Sequence, residues 1–443
     1  MRLIKKLCEW QEPKDVANAL IQEWGHAGFI WLDGDGSPLG RWVTLATKPI
    51  DEKCCRRLTT NQDQSNPFEI LRNLEEGHWT GWLSYEAGAW IEPKNTWKLD
   101  SMATLWIASH DPILKFDLHT KQLWIEGSKN EDINSLANWL ENSRDNLNKK
   151  NINSNNIENK YSIPINSWKW LTNEKGFLHQ VDEIKNLIAS GDLFQANLST
   201  CCTAEIPVPL QAIEIFNRLR NHCPAPFSAF IGGSGEAKGE IILSSSPERF
   251  MKVLPNGEVE TRPIKGTRPR NLDPIKDAEL AADLVCSTKD RAENIMIVDL
   301  LRNDLGKVCQ PGTIKVSQLV GLETYAKVHH LTSVINGFLQ SSKEWVDVLE
   351  ASWPGGSISG APKIRACERL QKLEPTARGP YCGSLLHIDW NGTFDSNILI
   401  RSLMIKDQEI RAHAGCGIVA DSNSQTEAEE LKWKLIPLLE ALE

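Results

Sequence analysis

GFLHQVDEIKNLIASGDLFQANLSTCCTAEI (residues 176–206) holds both kinds of element from which the fold must be built. Phe177, Leu178, Val181, Ile184, Leu187 and Ile188 recur at helical spacing, and Gly191 follows as a natural helix stop. The run DLFQANLSTCCTAEI after it reads as a strand. Outward from there, EIILSSS (240–246), YCGSLLHIDW (381–390) and SNILIRSLMI (396–405) are predicted strands, and 274–304, 362–373 and 425–442 are predicted helices. Nearer the N-terminus, FIWL (29–32), RWVTLA (41–46) and HWTGWLSYEAGAW (78–90) are apolar runs broken by Gly, Asp and Pro, as strands joined by turns would be. Helices and strands mix without regular βαβ alternation, so the predicted class is α+β with large, mostly antiparallel sheets. An Asn- and Lys-dense stretch, RDNLNKKNINSNNIENKYSIPIN (144–166), reads as a surface loop or linker between a β-rich region, 1–143, and a second region, 167–443.

With 443 residues and 41% hydrophobic content, the chain can bury a core large enough for several domains or one two-lobed one. A formal net charge of -9 argues against a general nucleic-acid or anionic-membrane binder, while leaving room for a local basic pocket around a small anion. Eleven cysteines, with adjacent pairs Cys54–Cys55 and Cys201–Cys202 and no zinc-like spacing, point to a reduced, cytoplasmic protein. MRLIKKLCEW is basic, but no apolar segment of secretory or membrane-spanning length follows it. Trp79, Trp82, Trp90 and Trp97 read as core bulk.

TRPIKGTRPR (261–270) sets one amine, Lys265, among Arg262, Arg268 and Arg270. Permanently cationic neighbours would lower the affinity of an amine for its proton and favour use as a nucleophile. Read alone, a lysine in a basic loop is a solvated charge. Glu248, in SSSPERF, stands where a strand pair would bring it beside Lys265 as a proton donor.

Two predicted helices each present acids three residues apart: Asp290 with Glu293, and Glu427 with Glu430. On the C-terminal helix, Glu427, Glu430 and Lys434 flank the stripe Ala428, Leu431, Leu435, Leu438 and Leu442, so these acids should be half buried. Carboxylates at a core boundary need a partner, and Mg²⁺ suits hard oxygens of this kind; otherwise both pairs are solvated helix faces.

PGGSISGAPK (354–363) has the glycine spacing of a phosphate loop, but Ala361 and Pro362 replace the required Lys and Ser/Thr. It is predicted as a tight loop entering a helix, with Pro362 at the first helical position. AGCGIV (414–419) is predicted as a glycine turn offering N–H donors to a carboxylate. Neither a G-x-S-x-G elbow nor the cysteine motif of a glutamine amidotransferase is present.

In this order, GDLFQANLS, SSSPERF, TRPIKGTRPR, AENIMIVDLLRNDLG, VHHLTS, PGGSISGAPKIRACERL, GPYCGS, NILIRSL and AGCGIVADSNSQTEAEELKWK resemble the chorismate-utilising enzymes over about residues 170–443. WLDGDGSPLGRW and GWLSYEAG carry a weaker likeness in the N-terminal part. The resemblance implies a two-lobed fold of large sheets packed face to face with helices outside. It is strongest to the branch that aminates chorismate toward p-aminobenzoate and folate, with Mg²⁺ and with ammonia from a separate glutaminase subunit. By that resemblance Lys265 attacks ring carbon 2, and Glu248 protonates the departing 4-hydroxyl. Glu293 and Glu430 match Mg²⁺ ligands, while Asp290 and Glu427 stand at the paired positions, Asp290 being one methylene shorter than the expected glutamate.

Tyr381, Arg401, the backbone from Gly415 to Gly417 and Lys434 match groups that hold the substrate carboxylates, and Thr267 and His330 match pocket residues near the ring. Gln195 occupies the position at which isochorismate and salicylate synthases use a water-activating lysine. Leu39, Gly40, Arg41, Trp42, Pro226, Phe227 and Ser228 match the walls of the family's tryptophan pocket, with Gly34 where a serine is expected. The alternatives are an anthranilate-forming lyase, whose family members carry a small residue in place of Lys265, and a non-catalytic chorismate or tryptophan sensor.

Overall fold

The computed structural model describes residues 3–56, 66–150 and 161–443. Two large antiparallel sheets dominate it. The twelve-stranded sheet pairs Ile30–Asp33 with Phe227–Gly232, and continues through Glu240–Ser246, Ser402–Lys406 and Glu409–Ile418 to Gln195–Glu205. The ten-stranded sheet joins Trp79–Leu83 to Ser384–Ile388 and runs through Phe394–Asn397 and Arg249–Val253 toward Val328–Phe338 and Ile264–Pro269. In each sheet the strands from before residue 150 form one block and those from after it another, joined where Ile30–Asp33 pairs with Phe227–Gly232 and where Trp79–Leu83 pairs with Ser384–Ile388.

One core fills the space between the sheets, with Ile30, Ile231 and Met404 from one facing Trp82, Met251 and Phe394 from the other. The tryptophans expected as bulk sit there: Trp82 and Trp106 pack with ring centroids 5.1 Å apart, and Trp90 and Trp97 border the same core. A second core lies between the outer face of the twelve-stranded sheet and helices. Phe177, Val181 and Ile184 of the Glu174–Ala189 helix pack there beside Leu431, Leu435 and Leu438 of the Ser424–Glu440 helix. Among the described residues, no helix is long and apolar enough to cross a membrane.

Several boundaries differ from the sequence reading, each for a local reason. Residues 144–150, expected in a loop, continue the Asn130–Lys150 helix, and 151–160 of the same stretch lie outside the described residues. The predicted 274–304 helix is two, Pro274–Cys286 and Thr288–Gly306; Ser287 divides them and its hydroxyl caps the second by accepting from the Asp290 N–H at 3.2 Å. Pro362 is the cap before the Lys363–Leu373 helix instead of its first residue. The run 396–405 is no single strand: Phe394–Asn397 belongs to one sheet and Ser402–Lys406 to the other. Ile398–Arg401 crosses between them, with Arg401 at φ 50°. AGCGIV is strand, not turn, for Glu409–Ile418 pairs with Gln195–Glu205 through Gly417↔Asn197 and Gly415↔Ser199.

A buried ion pair locks the inner end of this arrangement. Arg378 and Glu374 have side-chain exposures of 1% and 4%, and the guanidinium donates to both carboxylate oxygens at 2.7 and 2.9 Å. Arg378 also donates to the carbonyls of Ile358 and Asn197, and Glu374 accepts from the Ser199 N–H and hydroxyl. The 354–363 loop and the Gln195–Glu205 strand are thereby fixed to each other. Arg378→Met leaves a buried carboxylate without its cation and is expected to cost about 3–5 kcal/mol in urea unfolding. A loss below about 1 kcal/mol would refute this locking role.

Candidate active site

The ten-stranded sheet presents Lys265 on Ile264–Pro269, paired with Val328–Phe338 in the register Thr267↔His330. Gly266 decides what lies beneath. It sits at φ 83°, and a Cβ there would stand 2.9 Å from both Asp290 Cβ and Leu284 Cδ1. Only a residue without a side chain lets the Thr288–Gly306 helix come this close, and the approach sets Glu293 Oε2 at 3.9 Å from Lys265 Nζ.

Arg262, Arg268 and Arg270 do not act as expected on Lys265. Each is engaged by carboxylates: Arg262 by Glu323, Arg268 by Asp283 at 2.7 Å and Asp290 at 3.5 Å, and Arg270 by Asp277 at 2.9 Å. The basic loop is neutralised by acids from outside it, and the carboxylate within ion-pair distance of the amine is Glu293.

Glu248 follows the Glu240–Ser246 strand and is 4% exposed. Its pKa is pushed up to about 7 by burial, against the lowering influence of a Ser357 hydrogen bond, the Lys265 charge and the Ile264 N–H. The 354–363 loop packs against this acid. It supplies Ser357 to the buried acid and is itself held by Asn197 Nδ2, which donates to the Ser357 carbonyl at 2.8 Å. Sequence reading missed Ser357 and Asn197, although both lie inside motifs it singled out.

The second acid pair approaches from the Ser424–Glu440 helix. Glu430 is half-exposed, as expected, whereas Glu427 is 1% exposed and fully inside. Lys434 Nζ lies 2.7 Å from Glu430 and donates to the Gly415 carbonyl at 3.0 Å. Burial opposes the Glu430 charge, but Lys434 together with Lys289 and Lys265 outweighs it and the carboxyl falls below its ordinary value. Glu293 goes the other way: burial raises it, more than Lys265 and Lys289 lower it. Lys289, also missed by the sequence reading, pairs with Glu427 at 2.9 Å. Cys416, Glu427 and Glu430 bring ligand atoms within 4.8 Å of one another, and Glu427 Oε2 is buried with no partner. Hard oxygens, one of them bare, fit Mg²⁺; Cys416 is the soft exception.

Above the acids, Thr267 Oγ1 meets His330 Nδ1 at 2.8 Å, and burial followed by the Arg401 charge lowers the His330 pKa to about 3. His330 Nε2, Thr332 Oγ1 and both amide atoms of Gln195 are buried without partners. Tyr381 is 4% exposed and stacks on His413, ring centroids 5.0 Å apart. The glycines of AGCGIV are required for space: a Cβ on Gly417 would lie 2.6 Å from Gln195 Nε2 and 3.3 Å from Glu293 Oε2.

The residues matched to the tryptophan pocket lie elsewhere. Leu39, Trp42, Pro226, Phe227 and Ser228 line a cavity of about 610 Å³, and Gly34 and Ser228 line a neighbouring one of about 450 Å³. Arg41 turns to Asp117 at 2.8 Å and borders neither cavity, nor does Gly40. A Cβ on Gly34 would strike the Gly40 carbonyl at 2.1 Å, so a serine there requires a different loop.

Paired antiparallel sheets thus carry a lysine, a buried acid and several carboxylates at one edge. The family model described as chorismate binding enzyme matches residues 29–440, and the chain belongs to that family. It is 34% identical to the anthranilate synthase component I-like protein of Synechocystis sp. over 98% of this chain and 90% of the relative. With aminodeoxychorismate synthase component 1 of Salmonella typhimurium the identity is 35%, over 90% and 88% respectively. Among solved structures, anthranilate synthase component I from Streptococcus pneumoniae superposes with a TM-score of 0.74 at 26% identity, covering 90% of this chain and 92% of that one. The menaquinone-specific isochorismate synthase of Escherichia coli shares the fold, with a TM-score of 0.73 at 17% identity over 99% and 94% of the two chains.

Glu248 yields a pH test. The unfolded carboxyl titrates near 4.5 and the folded one near 7, so between these values the folded state binds the extra proton. Stability is fully present below the lower value and falls as pH rises to about 7, by about 3 kcal/mol for this group alone. Glu248→Gln should remove that slope from urea unfolding curves; an unchanged slope would mean that the acid titrates normally.

Proposed function

We propose that the protein is an aminodeoxychorismate synthase component I, converting chorismate and ammonia to 4-amino-4-deoxychorismate, with ammonia drawn from a glutaminase subunit. The observation that carries this reading is a lysine with a buried, proton-bearing acid on one side and a carboxylate cage on the other. Lys265 Nζ bonds to ring carbon 2 as the 4-hydroxyl leaves with the Glu248 proton, as water. Ammonia then adds at carbon 4 and expels the lysine, which restores both protein groups once the adduct's spare protons are returned. Glu293 and Glu430 would hold Mg²⁺, with Asp290 and Glu427 at the paired positions beside it, and the cation would supply charge against the substrate carboxylate. Arg401, Tyr381, Lys434 and the Gly415–Gly417 backbone would orient the carboxylates, with Thr267 and His330 beside the ring. Gln195 lacks the basicity to activate water, which favours ammonia as the second nucleophile.

The relatives named for anthranilate synthase favour a second reading, a lyase that also releases pyruvate. Purified protein incubated with chorismate, Mg²⁺ and ammonium at mildly alkaline pH decides between them by mass spectrometry. Aminodeoxychorismate without pyruvate is expected; anthranilate with stoichiometric pyruvate would sink the first reading. Glu248→Gln should lower kcat by about 10²–10⁴-fold. Lys265→Ala should abolish the protein–substrate adduct trapped by acid quench, and an adduct persisting on another residue would refute Lys265 as the nucleophile.

The cavity walled by Leu39, Trp42, Pro226, Phe227 and Ser228 is proposed as a tryptophan site. Calorimetric titration with L-tryptophan should give one site, weakened by Phe227→Ala; heats indistinguishable from dilution would remove tryptophan as a ligand.

A further inference from the structure

Each of the four acids proposed to surround the cation has a positive side chain beside it. Lys265 stands 3.9 Å from Glu293, Lys434 2.7 Å from Glu430, Lys289 2.9 Å from Glu427 and Arg268 3.5 Å from Asp290. Three of these cations have other work. Lys265 and Lys434 face the proposed substrate, and Arg268 is tied to Asp283 at 2.7 Å. Lys289 has one ion pair among the described residues, and it is with the most deeply buried acid of the group.

The Glu427 carboxylate is used asymmetrically. Oε1 accepts from Ser422 Oγ at 2.7 Å and from Lys289 Nζ at 2.9 Å, whereas Oε2 is buried and bare. Ser422 alone would hold the rotamer of Glu427, so orientation does not require the lysine. What Lys289 adds is charge, placed where Glu427 and Glu430 come together. A divalent cation entering beside Oε2 would meet that ammonium at short range, and the two positive charges would repel each other across the shared carboxylate. Lys289 is free to yield: its side chain is 45% exposed, on a flexible stem that can carry the charge into water.

We propose that Lys289 is a resident counter-cation of the acid cage, neutralising Glu427 in the metal-free protein and competing with the divalent cation for it. The proposal rests on the reading of the cage as a divalent-cation site. It makes metal loading an exchange of one cation for another, so that the four acids are never left together without positive charge.

Mn²⁺, counted by the loss of its free-ion electron paramagnetic resonance signal, tests both levels without an activity measurement. Wild-type protein should bind one Mn²⁺. Lys289→Met and the polar Lys289→Gln should bind it at least about five-fold more tightly, and Lys289→Arg should stay at or below wild-type affinity. Without metal both neutral variants should melt below wild type, and saturating Mn²⁺ should close that gap. Weaker binding by the neutral variants would mean that Lys289 orients Glu427 as a supporting group and would overturn the proposal, as would unchanged affinity. No Mn²⁺ binding by wild type, or binding untouched by Glu430→Gln, would instead overturn the metal reading beneath it.

Discussion

Carboxylates cannot be gathered away from water unless cations come with them, and this constraint organises the edge of the molecule around Lys265. Asp290, Glu293, Glu427 and Glu430 reach one region from two helices that are distant in sequence, and each meets a lysine or arginine there. The compensation is arranged so that most of the cations remain available. Lys265 and Lys434 hold single ion pairs that a substrate anion can replace, whereas the Arg262 and Arg270 contacts tie up the basic loop more permanently. Electrostatics here is less a source of stability than mutual compensation of charges that the fold brings together.

Close approach is the second constraint, and glycines satisfy it. Gly266 admits the Thr288–Gly306 helix beneath the lysine strand, and Gly417 leaves room for Gln195 of the neighbouring strand and for Glu293 of that helix. The crossing at Ile398–Arg401 carries the chain from one sheet to the other and delivers Arg401 beside His330. The buried Arg378–Glu374 pair then holds the 354–363 loop against the Gln195–Glu205 strand, which keeps Ser357 in reach of Glu248. Packing and chemistry are thus the same contacts seen from two sides.

Much of the site was legible because its parts are local patterns. Acids at i, i+3 on a helix, Pro before Glu248 and a lysine between prolines can be read without coordinates. The errors share a cause. AGCGIV reads as a turn because glycine usually marks conformation, yet these glycines are extended and small for the sake of neighbours contributed by another strand. SNILIRSLMI reads as one strand because alternation says nothing about which sheet receives each end. The arginines around Lys265 looked like its electrostatic environment because their carboxylate partners, Glu323, Asp283 and Asp277, lie outside the motif.

By itself the sequence determined the α+β class, the helix and strand periodicities, the acid pairs and the family likeness, since all of these depend on residues within a few positions or on ordered motifs. Tertiary structure alone decided which groups meet. It joined a block of strands from each half of the chain into each sheet, turned the basic loop's arginines onto acids, and buried Glu427 with one oxygen bare. It also raised Glu248 to about 7 by closing the core around it. Burial and through-space charge act over distances in space, and a linear pattern carries no measure of those.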